Sequence, residues 1–138
     1  MLDGENASMS EKKSSKAKIL LAEDDGAMRR FLEISLQRAG YEVVSVEDGL
    51  AAMQITLIEN FDIVITDAVM PNLTGHDLCR ILRQNENYKD VPLIILSGLE
   101  KDITENIEQD CADIYLVKDA NLKDDLIERL SAIISEKN

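Results

Sequence analysis

Two rhythms of apolar and polar residues take turns along this chain. Short, almost continuous apolar runs, "AKILLA" (17–22), "EVVSV" (42–46), "DIVIT" (62–66), "PLIILS" (92–97) and "DIYLV" (113–117), read as five strands. Pro92 falls at a strand's first position, where a missing N–H donor is tolerated. Between and after the strands, apolar residues recur at helical spacing. Met28, Phe31, Leu32, Leu36 and Ala39 mark a helix within 24–40, with Gly40 as its C′ stop. Leu50, Met53, Leu57 and Ile58 predict one inward side over 48–60, and Leu78, Ile81 and Leu82 predict another over 75–86. A thin Ile103/Ile107 stripe predicts a weak fourth helix over 100–110. Leu122, Leu126, Leu130 and Ile133 face inward over 121–137, with Asn121 as the cap. Strands that are apolar throughout belong to a parallel sheet covered on both faces. Five βα units therefore predict an α/β, doubly wound, five-stranded parallel sheet with right-handed crossovers. Such a sheet carries its ligand site outside the carboxyl ends of its strands, at the switch in strand order.

Composition narrows the picture. A chain of 138 residues predicts one domain whose core needs no disulfide or metal staple. The polar stretch 1–16 reads as a disordered tail, which leaves 17–138 as the folded domain. Cys79 and Cys111 lie far apart and read as reduced, packed thiols, and a single histidine, His76, gives zinc or a histidine triad little to use. The net charge of −12 opposes binding to nucleic acid or anionic membrane, and permits a hard cation and basic partners. No apolar run approaches the ~20 residues of a membrane span. With no signal-peptide pattern either, the expected location is cytoplasmic.

Chemistry-bearing side chains gather just past the strands. The first strand ends in Glu23-Asp24-Asp25, the third in Asp67, the fourth in Ser97-Gly98 and the fifth in Lys118-Asp119. Each has an ordinary reading alone: a helix cap, a turn, a surface lysine. Their joint arrival at carboxyl ends is the signal. If the first and third strands adjoin, Glu23 or Asp24 faces Asp67. Carboxylates within ~5 Å repel by about 3 kcal/mol per pair at an effective dielectric near 20. They must then hold protons or bind a cation, and an all-oxygen set favours Mg²⁺ or Mn²⁺. Mg²⁺ accepts phosphate oxygens, a carboxylate can attack phosphorus, and a lysine and a hydroxyl can receive phosphoryl oxygens.

"ILLAEDD", "DIVITDAVMP", "LIILSG" and "YLVKD", in this order and spacing, resemble the receiver domain of two-component response regulators, over about residues 17–136. The resemblance implies a flavodoxin-like (βα)5 fold with strand order 2-1-3-4-5. It implies that Asp67 accepts a phosphoryl group from a histidine kinase or histidine phosphotransfer protein. It implies Mg²⁺, with Mn²⁺ as a substitute, on Glu23, Asp24, Asp67 and the backbone carbonyl of Val69. Ser97 matches the switch hydroxyl, Lys118 the phosphate-binding lysine and Tyr115 the aromatic that turns inward. The surface of the fourth helix, fifth strand and fifth helix would then change for a downstream protein partner or a phosphorelay. No direct nucleic acid binding and no membrane are expected, and the chain would be a monomer or weak dimer. It would be a phosphoacceptor signalling domain rather than an enzyme, taking part in its own phosphorylation and dephosphorylation. No output domain follows, so the chain reads as a stand-alone, chemotaxis-regulator-like protein or a receiver cut from a longer one.

One departure stands out. Asp119 occupies the place where receivers carry a cis proline. A cis bond to a non-proline residue costs roughly 2.5–4 kcal/mol, which predicts a trans Lys118–Asp119 bond and a repositioned loop. The alternative function is a degenerate receiver that binds proteins independently of phosphorylation. Asp25 is expected to cap a helix rather than bind metal, and His76 is expected to take no part. Val69 and Leu99, as apolar neighbours of the site, are expected to shield an acyl phosphate and slow its hydrolysis. A haloacid-dehalogenase-like phosphatase is disfavoured because Ala68-Val69 follows Asp67 in place of a DxD pattern. A flavin carrier is disfavoured because three acids stand where a phosphate loop belongs.

Overall fold

Five short strands run parallel in the computed structural model, which describes residues 16–98 and 112–137. They are β1 (Lys18–Ala22), β2 (Glu42–Val46), β3 (Ile63–Asp67), β4 (Leu93–Ser97) and β5 (Ile114–Val117), in the order β2-β1-β3-β4-β5. The described helices are α1 (Gly26–Arg38), α2 (Gly49–Thr56), α3 (Gly75–Arg83) and α4 (Leu122–Lys137). The last of these is the fifth helix expected from the sequence. The fourth, over 100–110, lies outside the described residues, as do Leu99, Cys111 and tail positions 1–15. Fold class and strand order agree with the sequence-based expectation.

The central strands are buried on both faces because the helices cover both. Ile19, Leu21, Ile63, Ile65, Ile94 and Leu96 point to one side, against Leu32 and Leu36 of α1 and Leu122, Leu126 and Leu130 of α4. Alternate residues, Leu20, Ala22, Val64, Leu93 and Ile95, point to the other, against Ala52 of α2 and Leu78, Cys79 and Leu82 of α3. Burying one such side chain contributes roughly 1.5–3 kcal/mol. Helix starts follow capping chemistry: Asp25, Asp48 and Thr74 side chains accept from the N–H groups of Ala27, Ala51 and Asp77. Gly40, at φ 102°, ends α1, and the Tyr41 N–H closes the turn on the Leu36 carbonyl. The start of α4 places the Asn121 carbonyl under the Asp125 N–H.

Two faces differ from the sequence reading. α2 ends at Thr56, and its buried residues are Gly49, Ala52 and Thr56. Leu50, Leu57 and Ile58 are exposed. The reason is close approach: a Cβ on Gly49 would stand 2.3 Å from the Leu73 carbonyl oxygen, so the helix seats on its small residues, and of the four predicted inward residues Met53 packs against the core. On α3, Cys79 is buried in place of Ile81. Tyr88, fully buried from the loop after α3, donates its hydroxyl to the Glu59 carbonyl at 2.6 Å. Arg83 donates to the carbonyls of Tyr88, Lys89 and Val91 and pairs with Asp113. Asp113 also accepts from the Leu93 N–H, so one arginine ties the starts of β4 and β5 together.

Candidate functional site

The site forms where β1, β3, β4 and β5 end. Glu23 extends the β1 ladder through its N–H to the Val46 carbonyl, and this fixes its side chain inside. It is fully buried; one carboxylate oxygen lies 2.8 Å from Lys118 Nζ and the other accepts from the Asp25 N–H at 3.2 Å. Arg29 of α1 donates to the Glu23 carbonyl at 2.8 Å. Asp67 is the last residue of β3 and is only 6% exposed. Its Oδ2 lies 2.9 Å from Lys118 Nζ, and its Oδ1 accepts from the Val69 N–H at 3.4 Å. Glu23, Asp24 and Asp67 each offer a carboxylate oxygen within 4.8 Å of the others. Ser97, buried at the end of β4, sits opposite Val117 and accepts the Lys118 N–H on its carbonyl at 2.8 Å. The strand register thus delivers the lysine to the acids.

Asp25 caps α1 as expected and lies outside the cluster. All described peptide bonds are trans, Lys118–Asp119 included. Asp119 builds the loop without proline: its N–H bonds to the Val117 carbonyl, and its carboxylate accepts from the Asn121 N–H at 2.9 Å. That hydrogen bond turns the extra charge into the loop. The Val69 side chain is 70% exposed, two residues past Asp67.

Three features escaped the sequence reading. Arg29 is one. Gly75 is another: a Cβ there would stand 2.3 Å from the Asp67 carbonyl oxygen, and its N–H bonds to the Ala68 carbonyl at 3.0 Å. A glycine just after the capping Thr74 was the available signal. The third is His76, whose ring stacks on Tyr115 with centroids 6.3 Å apart. Gly75→Ala is expected to lower stability by about 1–3 kcal/mol through overpacking against the Asp67 main chain. Gly98→Ala, where a Cβ meets nothing within 4 Å, is the control in urea unfolding.

Burial pushes the Glu23 carboxyl up, the Lys118 bond pulls it down and Asp67 pushes it up again; the net is a rise from 4.5 to about 7. Burial alone would lower the Lys118 pKa, but its bonds to Glu23 and Asp67 outweigh this and raise it. A carboxyl with a raised folded pKa binds its proton more tightly when folded. In chelator, its stabilising contribution is full below about pH 4.5 and is lost as pH climbs through about 7. The loss is at most about 3 kcal/mol. Urea unfolding across this window, compared with Glu23→Gln, reads that component. Mg²⁺ should reverse the slope, because a metal ligand must be deprotonated.

The donor set is all oxygen and fits a hard divalent cation. No described helix is long and apolar enough to cross a membrane. The family model of the response regulator receiver domain matches residues 19–131. The probable transcriptional regulator ycf27 of Cyanophora paradoxa is 39% identical over 105 residues, 75% of this chain and 42% of that protein. The chain spans less than half the length of this and two further curated relatives of that name. The chemotaxis response regulator CheY4 of Vibrio cholerae matches with a TM-score of 0.78 and 29% identity, over 86% of this chain and 98% of that one. The receiver domain of sensor histidine kinase PA1611 from Pseudomonas aeruginosa, solved with a magnesium ion in its active site cleft, matches with a TM-score of 0.75 and 29% identity, over 88% and 96%.

Proposed function

This chain belongs to the response regulator receiver domain family, and from that premise we propose that Asp67 accepts a phosphoryl group from a phosphohistidine of a histidine kinase or histidine phosphotransfer protein. The observation that carries this reading is the Lys118 ammonium, held 2.9 Å from Asp67 and 2.8 Å from Glu23 beside a third carboxylate. An Asp67 carboxylate oxygen forms the new O–P bond; the P–N bond breaks and its electron pair stays on the imidazole of the donor. Glu23, Asp24, Asp67 and the Val69 carbonyl would hold Mg²⁺, or Mn²⁺ in its place. When bound, the ion offsets the charge of the acids and of the phosphoryl oxygens.

Lys118 keeps the acids together beforehand and then turns to a phosphoryl oxygen. The Ser97 hydroxyl takes another and moves toward it, and Tyr115 answers from the neighbouring strand. The outcome is a charge-driven bias on a two-state surface around β5 and α4, read by a downstream protein in the cytoplasm.

The test is intact mass after incubation with a small acyl phosphate. With Mg²⁺ the chain should gain the mass of one phosphoryl group, and with chelator it should gain none. No gain in Mg²⁺ would overturn the reading and leave a protein-binding module that works independently of phosphorylation.

A further inference from the structure

We propose that His76 is the positioning residue for Tyr115: its imidazole is the platform that holds the half-buried phenol ring in place and ties it to the main chain at Asp67. The proposal rests on the reading of Tyr115 as the switch aromatic. Tyr115 lies on β5 opposite Ile95, on the side of the sheet that α3 covers. Ser97, two residues beyond Ile95 on the same strand, is its diagonal neighbour toward the site. The phenol oxygen is buried, and the ring lies 6.3 Å from the His76 ring with an interplanar angle of 30°. That separation is within the range of attractive aromatic pairs.

His76 is well placed to transmit motion because of what precedes it. Gly75 is wedged against the Asp67 carbonyl and hydrogen-bonded to Ala68, while Thr74 caps the same turn. A shift of the main chain at Asp67 therefore carries the first turn of α3, and the imidazole moves with it. Tyr115 thus receives two inputs, one from Ser97 across the sheet and one from His76 through the helix start. Both can change when Asp67 changes.

The sequence supplies a clean readout. The chain has no tryptophan and three tyrosines, Tyr41, Tyr88 and Tyr115. Fluorine NMR of chain labelled with 3-fluorotyrosine, with Tyr115→Phe assigning the signal, reports the ring's position with and without Mg²⁺ and beryllofluoride. His76→Ala should change the ratio of the two ring positions by about 2- to 10-fold, the scale of one aromatic pair. His76→Phe, which restores a flat face, should bring the signal back. A His76→Ala resonance that coincides with the wild-type one in both conditions overturns the proposal. So does equal displacement in both variants, since a ring that a second platform cannot restore is not held by stacking. If beryllofluoride leaves the wild-type Tyr115 signal in place, the switch reading fails, and the comparison of His76→Ala with wild type still decides whether the platform holds the ring.

Discussion

Asp67→Asn ends phosphoryl capture: with a small acyl phosphate and Mg²⁺ the variant gains no mass, while the wild-type chain gains one phosphoryl group. The amide keeps the shape of the side chain but loses its nucleophilic charge, so no O–P bond forms. It also weakens the ligand set, since one of three converging carboxylates becomes neutral. The fold should survive. Asn Oδ1 can still accept from the Val69 N–H, and Lys118 keeps its 2.8 Å partner in Glu23. Removing the Asp67 charge also removes one of the causes that raise the Glu23 carboxyl, so in the metal-free protein near neutral pH the relieved repulsion between the two acids offsets part of the lost Lys118 pair. Circular dichroism and urea unfolding check the fold, and intact mass checks the chemistry. A mass gain that persists in Asp67→Asn would place the acceptor elsewhere, and Ser97 would be the first residue to test.

What the sequence made legible follows from how each contact is encoded. β3 and β4 were readable because strands buried on both faces must be apolar at nearly every position. α1 and α4 were readable because leucines four residues apart face one core. On α2 the expected Met53 does pack inward, but Leu50, Leu57 and Ile58 were misread for a physical reason. The helix's seat is chosen by a backbone approach that only Gly49 allows, and the large residues Leu57 and Ile58 are left 71% and 80% exposed. Hydrophobic periodicity carries no information about such an approach. Tyr88 was missed because a loop residue has no period.

The same distinction applies to the site. That Glu23, Asp24, Asp67, Ser97 and Lys118 share one end of the sheet follows from their place after strands in a parallel fold. That Lys118 bridges two acids depends on the pairing of Ser97 with Val117, which no local pattern states. The loop at Asp119 was anticipated only as a departure. Its solution, a carboxylate turned back onto the Asn121 N–H, is a turn signature written in the residues themselves.

Lys118→Met should produce a destabilisation that grows with pH. The lysine side chain is 17% exposed and stands between Asp67 and a Glu23 side chain with no exposure at all. Removing it leaves two close carboxylates without their cation, and breaking a buried pair this way costs about 3–5 kcal/mol when both charges persist. Glu23 can avoid that cost by taking a proton. Its folded pKa is already raised to about 7, and losing the lysine removes a cause that lowers it, so it rises further in the variant. At pH 5 the variant's Glu23 is neutral and the loss should be small. By pH 8 the proton must be given up or held against the solvent, and the loss should approach the full range. Added Mg²⁺ supplies positive charge to the same carboxylates, so it should narrow the gap between variant and wild type. Phosphoryl capture should still fall about a hundredfold, since a metal does not replace a donor aimed at a phosphoryl oxygen. Urea unfolding at both pH values, with and without Mg²⁺, separates electrostatics from packing. Equal destabilisation in all four conditions would mean that the methylene stem of Lys118, and not its charge, holds this end of the sheet together.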